Sequence, residues 1–214
     1  MSPRYPVFLD LGGQPCLVVG GGTVAQRKVQ GLLGVGGNVT MIAPDATPAL
    51  AQAADDGRLR WHRRRVTDTD VTVVPAGSTP WRFVVAASDD PAVNATVVEA
   101  ATSAGMWAND ASSPSGGPAA LPAVHRDGRV TIAVSTGGVH PAAAGWLRDL
   151  AAEAIGPEHL VALDLVSEVR ATSPDGGRPD WRVAVDSGML DLIRKGRVAE
   201  AKERLQACLS SSSD

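Results

Sequence analysis

The sequence is poor in residues that build disulfides and metal centres. Its 214 residues include two cysteines, Cys16 and Cys208, which lie near opposite ends of the chain and match no metal-binding spacing. Its four histidines also lack a partner at the spacing of metal ligands, so we expect no stable metal site. Because Cys16 falls in an apolar run typical of a core strand, we expect a reducing, cytoplasmic setting.

The chain also lacks a basic charge excess, a long apolar run and an apolar N-terminal stretch. Its net charge of −3 gives no general attraction to nucleic acid. No apolar run approaches the ~20 residues of a membrane-spanning helix, and the first residues lack the apolar core of a signal peptide. The composition therefore predicts a soluble globular protein with neither nucleic acid nor a membrane as partner.

One short segment is nonetheless rich in arginine. Residues 58–65 contain five arginines together with Trp61 and His62. Interleaved basic and aromatic residues are a feature of nucleic-acid-binding surfaces, but the same pattern fits a strand with one solvated face. We favour the strand, because the segment is short and the whole chain is acidic.

The sequence does contain a glycine-rich turn between an apolar strand and a helix. Cys16 to Val19 is apolar, Gly20-x-Gly22-x-x-Ala25 follows, and residues 24–33 are compatible with a helix. This order is typical of the dinucleotide-binding turn of a Rossmann domain. The first glycine permits the turn, the second lets the backbone approach a pyrophosphate, and the small third residue allows close packing. An α/β turn without a nucleotide is the alternative.

A second predicted strand, over 38–43, is followed by Pro44 and Asp45. In Rossmann domains an acidic residue near this strand end binds the ribose hydroxyls and repels a 2′-phosphate. Asp45 is the nearest candidate and no arginine or lysine adjoins it, so we favour NAD over NADP as the cofactor. The alternative role of Asp45 is to cap the helix ahead of Thr47. Ala43, Pro44 and Asp45 are therefore assigned to the ribose end of the site.

Alternating strand and helix patterns in the first half predict a parallel sheet with helices on both faces. A short strand is also expected over residues 5–11, and a loop over 111–118. The remaining predicted elements are strands over 15–19, 38–43, 58–65, 81–87 and 106–110 and helices over 23–34, 47–56 and 92–105.

The second half is predicted to be mainly helical. Leu160, Leu163, Val166 and Val169 recur at threefold spacing, which indicates the buried face of one helix. The predicted elements are a strand over 129–135, helices over 142–155 and 158–172, a turn over 173–179, two short helices within 186–208 and a disordered tail over 210–214. We divide the chain into a Rossmann domain over 1–112, a small mixed region over 113–150 and a helical domain over 151–214.

Four blocks of the chain carry a narrower resemblance. They are Val19-Gly-Gly-Gly-x-Val-Ala-x-Arg-Lys28 with the Tyr5-Pro-Val-Phe-Leu-Asp-Leu run before it, Ala86 to Asn94, the predicted strand end at Asp110, and Ile132 to Pro141. In this order they resemble the family of precorrin-2 dehydrogenase/sirohydrochlorin ferrochelatase, which also forms the N-terminal half of siroheme synthase. The resemblance covers residues 4–209.

The resemblance implies a fold, a reaction and an assembly. The fold is α/β, with a Rossmann domain followed by a small α/β dimerisation region and a helical C-terminal domain, assembled as a homodimer. The reaction is the NAD⁺-dependent oxidation of precorrin-2 to sirohydrochlorin, followed in many members by Fe²⁺ insertion at the same site. Thr23 and Val24 match positions whose backbone meets NAD, so the full cofactor set is Gly20, Gly22, Thr23, Val24, Ala25, Ala43, Pro44 and Asp45.

Asp110 is the expected catalytic residue, because it matches the aspartate that this family uses in both reactions. Dehydrogenation releases a proton as the hydride leaves, and metal insertion removes protons from pyrrole nitrogens. One carboxylate beside the macrocycle can accept protons in both steps. From the residues alone, the alternative is a loop aspartate that bonds its own backbone before Ser112. Asn94 is open between a structural role and a cofactor contact.

A run of small residues precedes the helix that begins near Pro141. Such residues at a helix N-terminus form an anion site, and the implied tetrapyrrole carries many carboxylates. An ordinary capped helix is the alternative, with His140 as a surface or capping residue. The residues assigned to substrate binding are Ser135, Thr136, Gly137, Gly138 and His140.

Two other functions stay open on the sequence. The first is a non-catalytic regulatory module that binds NAD without oxidising precorrin-2. The second is a ferrochelatase or metal-handling protein without redox function, which would not bind NAD.

Overall fold

The computed structural model describes residues 4–72, 79–113, 116–172 and 181–210. The chain forms two compact units, which divide between Leu121 and Pro122. The predicted division into three regions, with boundaries at 112 and 150, is finer than this and stays a prediction. In the described part of the chain, no helix is long and apolar enough to cross a membrane.

The first unit is built on a parallel sheet of five strands in the order β3-β2-β1-β4-β5. Strand β1 lies at the centre and is covered on both faces, so its residues from Cys16 to Val19 are all apolar and buried. The strands are β1 (Pro15–Val19), β2 (Asn38–Ile42), β3 (Arg60–His62), β4 (Phe83–Ala86) and β5 (Trp107–Asp110).

Helices cover both faces of this sheet, as predicted for a Rossmann domain. One face packs against α1 (Thr23–Leu33) and α2 (Pro48–Asp55), and the other against α3 (Asp68–Thr72) and α4 (Pro91–Ser103). Helix α4 starts where the sequence indicates: the Asp90 side chain accepts a hydrogen bond from the Ala92 N–H at 2.9 Å, and Pro91 occupies the first turn.

Two predictions in this unit were wrong, and one helix was missed. Residues 5–11 form no strand, and Tyr5 and Phe8 are 88% and 76% exposed, because their apolar composition finds no partner strand. Strand β3 covers only three of the residues 58–65, since the Arg64 N–H bonds back to the His62 carbonyl and the chain leaves the sheet edge. Helix α3 was missed, because five residues are too few to show a helical period.

The second unit begins with an antiparallel hairpin, on which helix α5 (Pro141–Glu153) packs. Its strands are β6 (Ala123–Asp127) and β7 (Val130–Val134), and Asp127 pairs with Val130. Strand β7 was predicted and β6 was not. The signal for β6 was nonetheless present, because Gly128 is the first of the two turn residues between Asp127 and Val130, and a glycine at that position is typical of a tight hairpin turn.

A cluster of helices completes the second unit around its own core. Helices α6 (Pro157–Thr172), α8 (Met189–Arg194) and α9 (Val198–Ser210) match the predicted ones, and α7 (Trp181–Asp186) was missed. Of the predicted threefold series on α6, Val169 is buried and Val166 packs against the core, but the other buried residues of the helix are Ala162 and Leu165. A helix turns every 3.6 residues, so an exact spacing of three drifts off the face. The predicted turn over 173–179 and the tail beyond Ser210 lie outside the described residues.

Candidate functional site

Three consecutive glycines form the turn after β1, and each meets different surroundings. Gly20 has φ +118°, and a Cβ there would collide with the Ala87 carbonyl at the end of β4. A Cβ on Gly21 would collide with the Asp45 carbonyl oxygen beyond β2. A Cβ on Gly22 would meet nothing within 4 Å. The first two glycines are therefore required by the protein itself, and the third borders open space.

The open space at Gly22 lies at the N-terminus of α1. Gly22 is the N-cap residue and supplies no side-chain hydrogen bond to the first turn, so backbone N–H groups and the positive end of the helix dipole face this space. A pyrophosphate needs such a cradle, which the Cβ of a larger residue would fill. The residues present therefore fit a dinucleotide, and Gly22, Thr23, Val24 and Ala25 lie together as predicted.

The ribose end of the predicted site lies at the carboxyl end of β2. Ala43 is buried, while Pro44 and Asp45 are exposed. Thr47 caps α2, because its Oγ1 accepts a hydrogen bond from the Leu50 N–H at 3.4 Å. The capping alternative for Asp45 is therefore wrong. Thr47 also donates its N–H to the Gly21 carbonyl at 2.9 Å, which fixes this loop against the glycine turn.

A cation that the sequence argument missed lies beside this strand end. The indole N–H of Trp61 donates to the Ala43 carbonyl at 2.9 Å, and the guanidinium carbon of Arg63 lies 4.3 Å from the centroid of the Trp61 ring. Arg64, in contrast, forms a two-pronged ion pair with Asp70. No cation adjoins Asp45 along the chain, but β3 pairs with β2, and Arg63 follows the last residue of β3 as Ala43 follows the last residue of β2.

Asp110 ends β5 at the same edge of the sheet as the glycine turn. Register pairs Asp110 with Ala86 on β4, and Ala86 with Val19, the residue before Gly20. Asp110 is 8% exposed. It lines an open groove of about 440 Å³, together with Glu99, Thr102 and Gly116. The structure therefore brings the predicted catalytic carboxylate and the predicted cofactor turn to one edge.

The two oxygens of Asp110 have different surroundings. Oδ1 accepts hydrogen bonds from the Ser112 N–H at 2.8 Å and from the Ser112 hydroxyl at 2.6 Å. This is the local backbone bond that the structural alternative for Asp110 predicts. Oδ2 lies beside Gly116, where a Cβ would come within 2.8 Å of it. One oxygen therefore fastens the loop, and the other lies next to a glycine that lines the groove.

The predicted substrate-binding residues lie in the second unit, before α5. Ser135 Oγ accepts from the Gly137 N–H at 3.3 Å, and Gly137 and Gly138 have positive φ. His140 caps α5, because its Nδ1 accepts from the Ala142 N–H at 3.2 Å. The capping role was the alternative for His140, and the geometry favours it. Substrate binding by Ser135, Thr136, Gly137, Gly138 and His140 stays a prediction.

No group of three or more His, Cys, Asp or Glu side chains in the described part of the chain is arranged to hold a metal ion.

The parallel sheet, the glycine cradle and the acidic strand end together define a Rossmann-type dinucleotide-binding domain. A family model described as NAD(P)-binding matches residues 7–123, and the chain belongs to that family. The predicted fold class and the nicotinamide dinucleotide cofactor are thereby confirmed.

The chain is also similar to particular enzymes, which confirms the resemblance found in the sequence. It is 35% identical over 206 residues to a siroheme synthase of Methylococcus capsulatus. The aligned region covers 94% of this chain and 42% of that protein. It is 37% identical over 137 residues to a precorrin-2 dehydrogenase of Priestia megaterium, covering 64% of each. The solved structure of SirC, a precorrin-2 dehydrogenase, superposes with a TM-score of 0.69 at 27% identity, covering 96% of this chain and 98% of that one. The chain spans less than half the length of that siroheme synthase.

Proposed function

We propose that this protein is an NAD-dependent dehydrogenase that oxidises precorrin-2 to sirohydrochlorin in siroheme biosynthesis. The observation that carries the proposal is the placement of the buried Asp110 carboxylate at the sheet edge that holds the dinucleotide turn, with only strand β4 between them. Removal of a hydride from carbon needs a hydride acceptor and a proton acceptor close together. Similarity to a precorrin-2 dehydrogenase and to siroheme synthases supports this substrate.

In this proposal the protein's own residues bind and orient the cofactor, and one of them accepts a proton. Backbone N–H groups at Gly22, Thr23 and Val24 hold the pyrophosphate, and Asp45 binds the ribose hydroxyls. Bound NAD⁺ supplies the acceptor for the two-electron hydride. Asp110 takes the proton that the substrate loses in the same oxidation, so charge and atoms balance.

The first experiment mixes the purified protein with enzymatically prepared precorrin-2 and NAD⁺ and follows NADH by absorbance. We expect NADH from the parent protein and a loss of at least about a hundredfold in Asp110→Asn, since general-base catalysis contributes 10² or more. Asp55→Asn removes an exposed carboxylate from the end of α2 and is the matched control. NAD binding without NADH formation would contradict the proposal and favour the regulatory module. Addition of Fe²⁺ to the product then tests metal insertion, with iron as a substrate.

The proposal includes a homodimer in the cytoplasm. Trp146 and Leu150 lie one turn apart on α5 and are 63% and 53% exposed, which is unusual for large apolar side chains and typical of an interface. We expect Trp146→Glu to shift the mass measured by light scattering from dimer to monomer. A parent protein that is monomeric at micromolar concentration would contradict the dimer.

A further inference from the structure

We infer that Asn94 and Ser112 form a hydrogen-bonded bridge that positions the Asp110 carboxylate against the cofactor turn and leaves Oδ2 as its proton-accepting oxygen. This inference rests on the proposed function. It assigns a role to two residues that do not themselves touch the reacting atoms.

The orientation of the Asn94 amide is fixed by the backbone of Ser88. Asn94 is fully buried on α4. Its Oδ1 accepts the Ser88 N–H at 2.9 Å, and its Nδ2 donates to the Ser88 carbonyl at 3.0 Å. A flipped amide would set a donor against a donor and an acceptor against an acceptor. The buried amide therefore has one allowed orientation.

That orientation in turn fixes the direction of the Ser112 hydroxyl. The remaining Nδ2 hydrogen of Asn94 points to Ser112 Oγ at 3.2 Å, so this oxygen acts as an acceptor there. The Ser112 hydroxyl hydrogen is then available for Asp110 Oδ1, which lies 2.6 Å away. Hydrogen bonds chained in one direction polarise one another and strengthen. The chain runs from the Asn94 amide through the Ser112 hydroxyl to the Asp110 carboxylate.

The same chain selects which oxygen of Asp110 can take a proton. Oδ1 already accepts two hydrogen bonds from Ser112, and a proton placed there would have to displace one of them. Oδ2 lies beside Gly116 instead, and Gly116 and Asp110 both line the open groove. The bridge therefore holds the carboxylate in one rotamer, and no donor among the residues that the structure describes bonds to Oδ2.

The other end of the bridge is fixed to the cofactor turn. Ser88 follows Ala87, whose N–H donates to the Val19 carbonyl at 2.8 Å, next to Gly20. Gly20 itself packs against the Ala87–Ser88 peptide so closely that no Cβ fits. Asn94 therefore links the segment that supports the dinucleotide turn to the residue that holds Asp110. Its position sets the spacing between hydride acceptor and proton acceptor, on which the reaction rate depends steeply.

Ser112 is exposed, so its variants keep the fold and give the first test. In Ser112→Ala we expect kcat for precorrin-2 oxidation to fall about tenfold or more, the loss typical of a hydrogen bond to a charged group. KM for precorrin-2 and Kd for NAD⁺ should change less than about twofold, since the inference gives Ser112 a role through Asp110 and not through either ligand. Ser112→Thr keeps the hydroxyl and should restore most of kcat. A Ser112→Ala enzyme with parental kcat, or a Ser112→Thr enzyme no better than it, would overturn the bridge.

A second test needs no turnover and separates this inference from the proposed function. Hydrogen exchange is measured at the Ser88 and Ser112 amides in the parent and in Asn94→Ala, with Thr96→Ala as a control on the solvent side of the same helix. We expect faster exchange at both amides in Asn94→Ala, because each loses support from the same side chain. Unchanged protection at Ser112 would overturn the bridge whether or not the protein oxidises precorrin-2. An inactive parent with the expected exchange pattern would contradict the dehydrogenase alone.

Discussion

Replacing adjacent glycines in the turn after β1 by alanine should have opposite consequences. In Gly20→Ala, a non-glycine residue would be forced to φ +118° and its Cβ would collide with the Ala87 carbonyl. Backbone strain of this kind costs about 1–3 kcal/mol before any displacement of β4. For a chain of this size 1 kcal/mol lowers the melting temperature by about 2–4 °C. Strain alone therefore predicts a loss of about 2–12 °C, and the collision with β4 adds to it.

In Gly22→Ala the fold should be nearly unaffected, because the added Cβ meets nothing within 4 Å. Gly22 also has φ −78° and ψ −174°, which alanine adopts without strain. Alanine is a poorer N-cap than glycine by about 0.5–1 kcal/mol, so the melting temperature should fall by no more than about 4 °C. The methyl group occupies the cradle, however, and affinity for NAD⁺ should fall at least about tenfold.

Calorimetry for melting and titration calorimetry for NAD⁺ separate the two effects. The predicted pattern is a weakened fold in Gly20→Ala and a weakened cofactor affinity with a nearly intact fold in Gly22→Ala. Parental NAD⁺ affinity in Gly22→Ala would refute the placement of the pyrophosphate at this glycine. Parental stability in Gly20→Ala would refute the close packing of the turn on β4.

Three further predictions concern other parts of the first unit. Arg63→Ala should increase the ratio of the Kd for NADP⁺ to the Kd for NAD⁺, because a cation attracts a 2′-phosphate. Asp45→Asn should decrease the same ratio, because a carboxylate repels a 2′-phosphate. Ratios in both variants equal to those of the parent and of an Arg60→Ala control, measured by titration, would refute these roles. The Arg64 guanidinium, by hydrogen bonding, holds the pKa of Asp70 well below its usual range. This pair therefore stabilises the fold above the ordinary carboxyl pKa of about 4, and its contribution is lost as the pH falls further. Stability should therefore fall less steeply with acid in Asp70→Asn than in the parent, and an identical acid profile would contradict the role of the pair. Burial raises the pKa of the Cys16 thiol to about 11. Cys16 should therefore resist iodoacetamide at about pH 8 until the protein unfolds. Labelling of Cys16 in the native protein, seen by mass spectrometry, would contradict this.

The parts of the fold that the sequence predicted well are those with a strong local signal. The run from Cys16 to Val19 is apolar because β1 is covered on both faces, and Asp90 with Pro91 marks the start of α4 at the residue where it begins. Apolar composition misled at residues 5–11, because a strand needs a partner that composition does not reveal. Strand β6 was missed because its own residues do not indicate a strand. It forms because the hairpin turn places it beside β7.

The residues of the candidate site likewise fall into those that the sequence predicts and those that it does not. The glycine turn and Asp110 follow from motif and resemblance, which are carried by single positions along the chain. Arg63 and the Asn94–Ser112 contact depend on which strands and helices lie side by side, and residues 94 and 112 are separated by a whole helix and a strand. Gly21 was not assigned to the site either, although the Asp45 carbonyl leaves no room for a Cβ there. Its constraint comes from a segment more than twenty residues away, which no local pattern shows.

The close approach of Gly20 to Ala87 and of Gly21 to Asp45 has a consequence for how the protein matures. The turn takes its shape from two segments that follow it in the chain, at Asp45 after β2 and at Ala87 after β4. Closure of such long loops is slow compared with local helix formation. The cradle for the cofactor is therefore completed only after β4 has joined the sheet. Cofactor binding then reports on the assembled domain, and a chain released before β4 is synthesised has no cradle to offer.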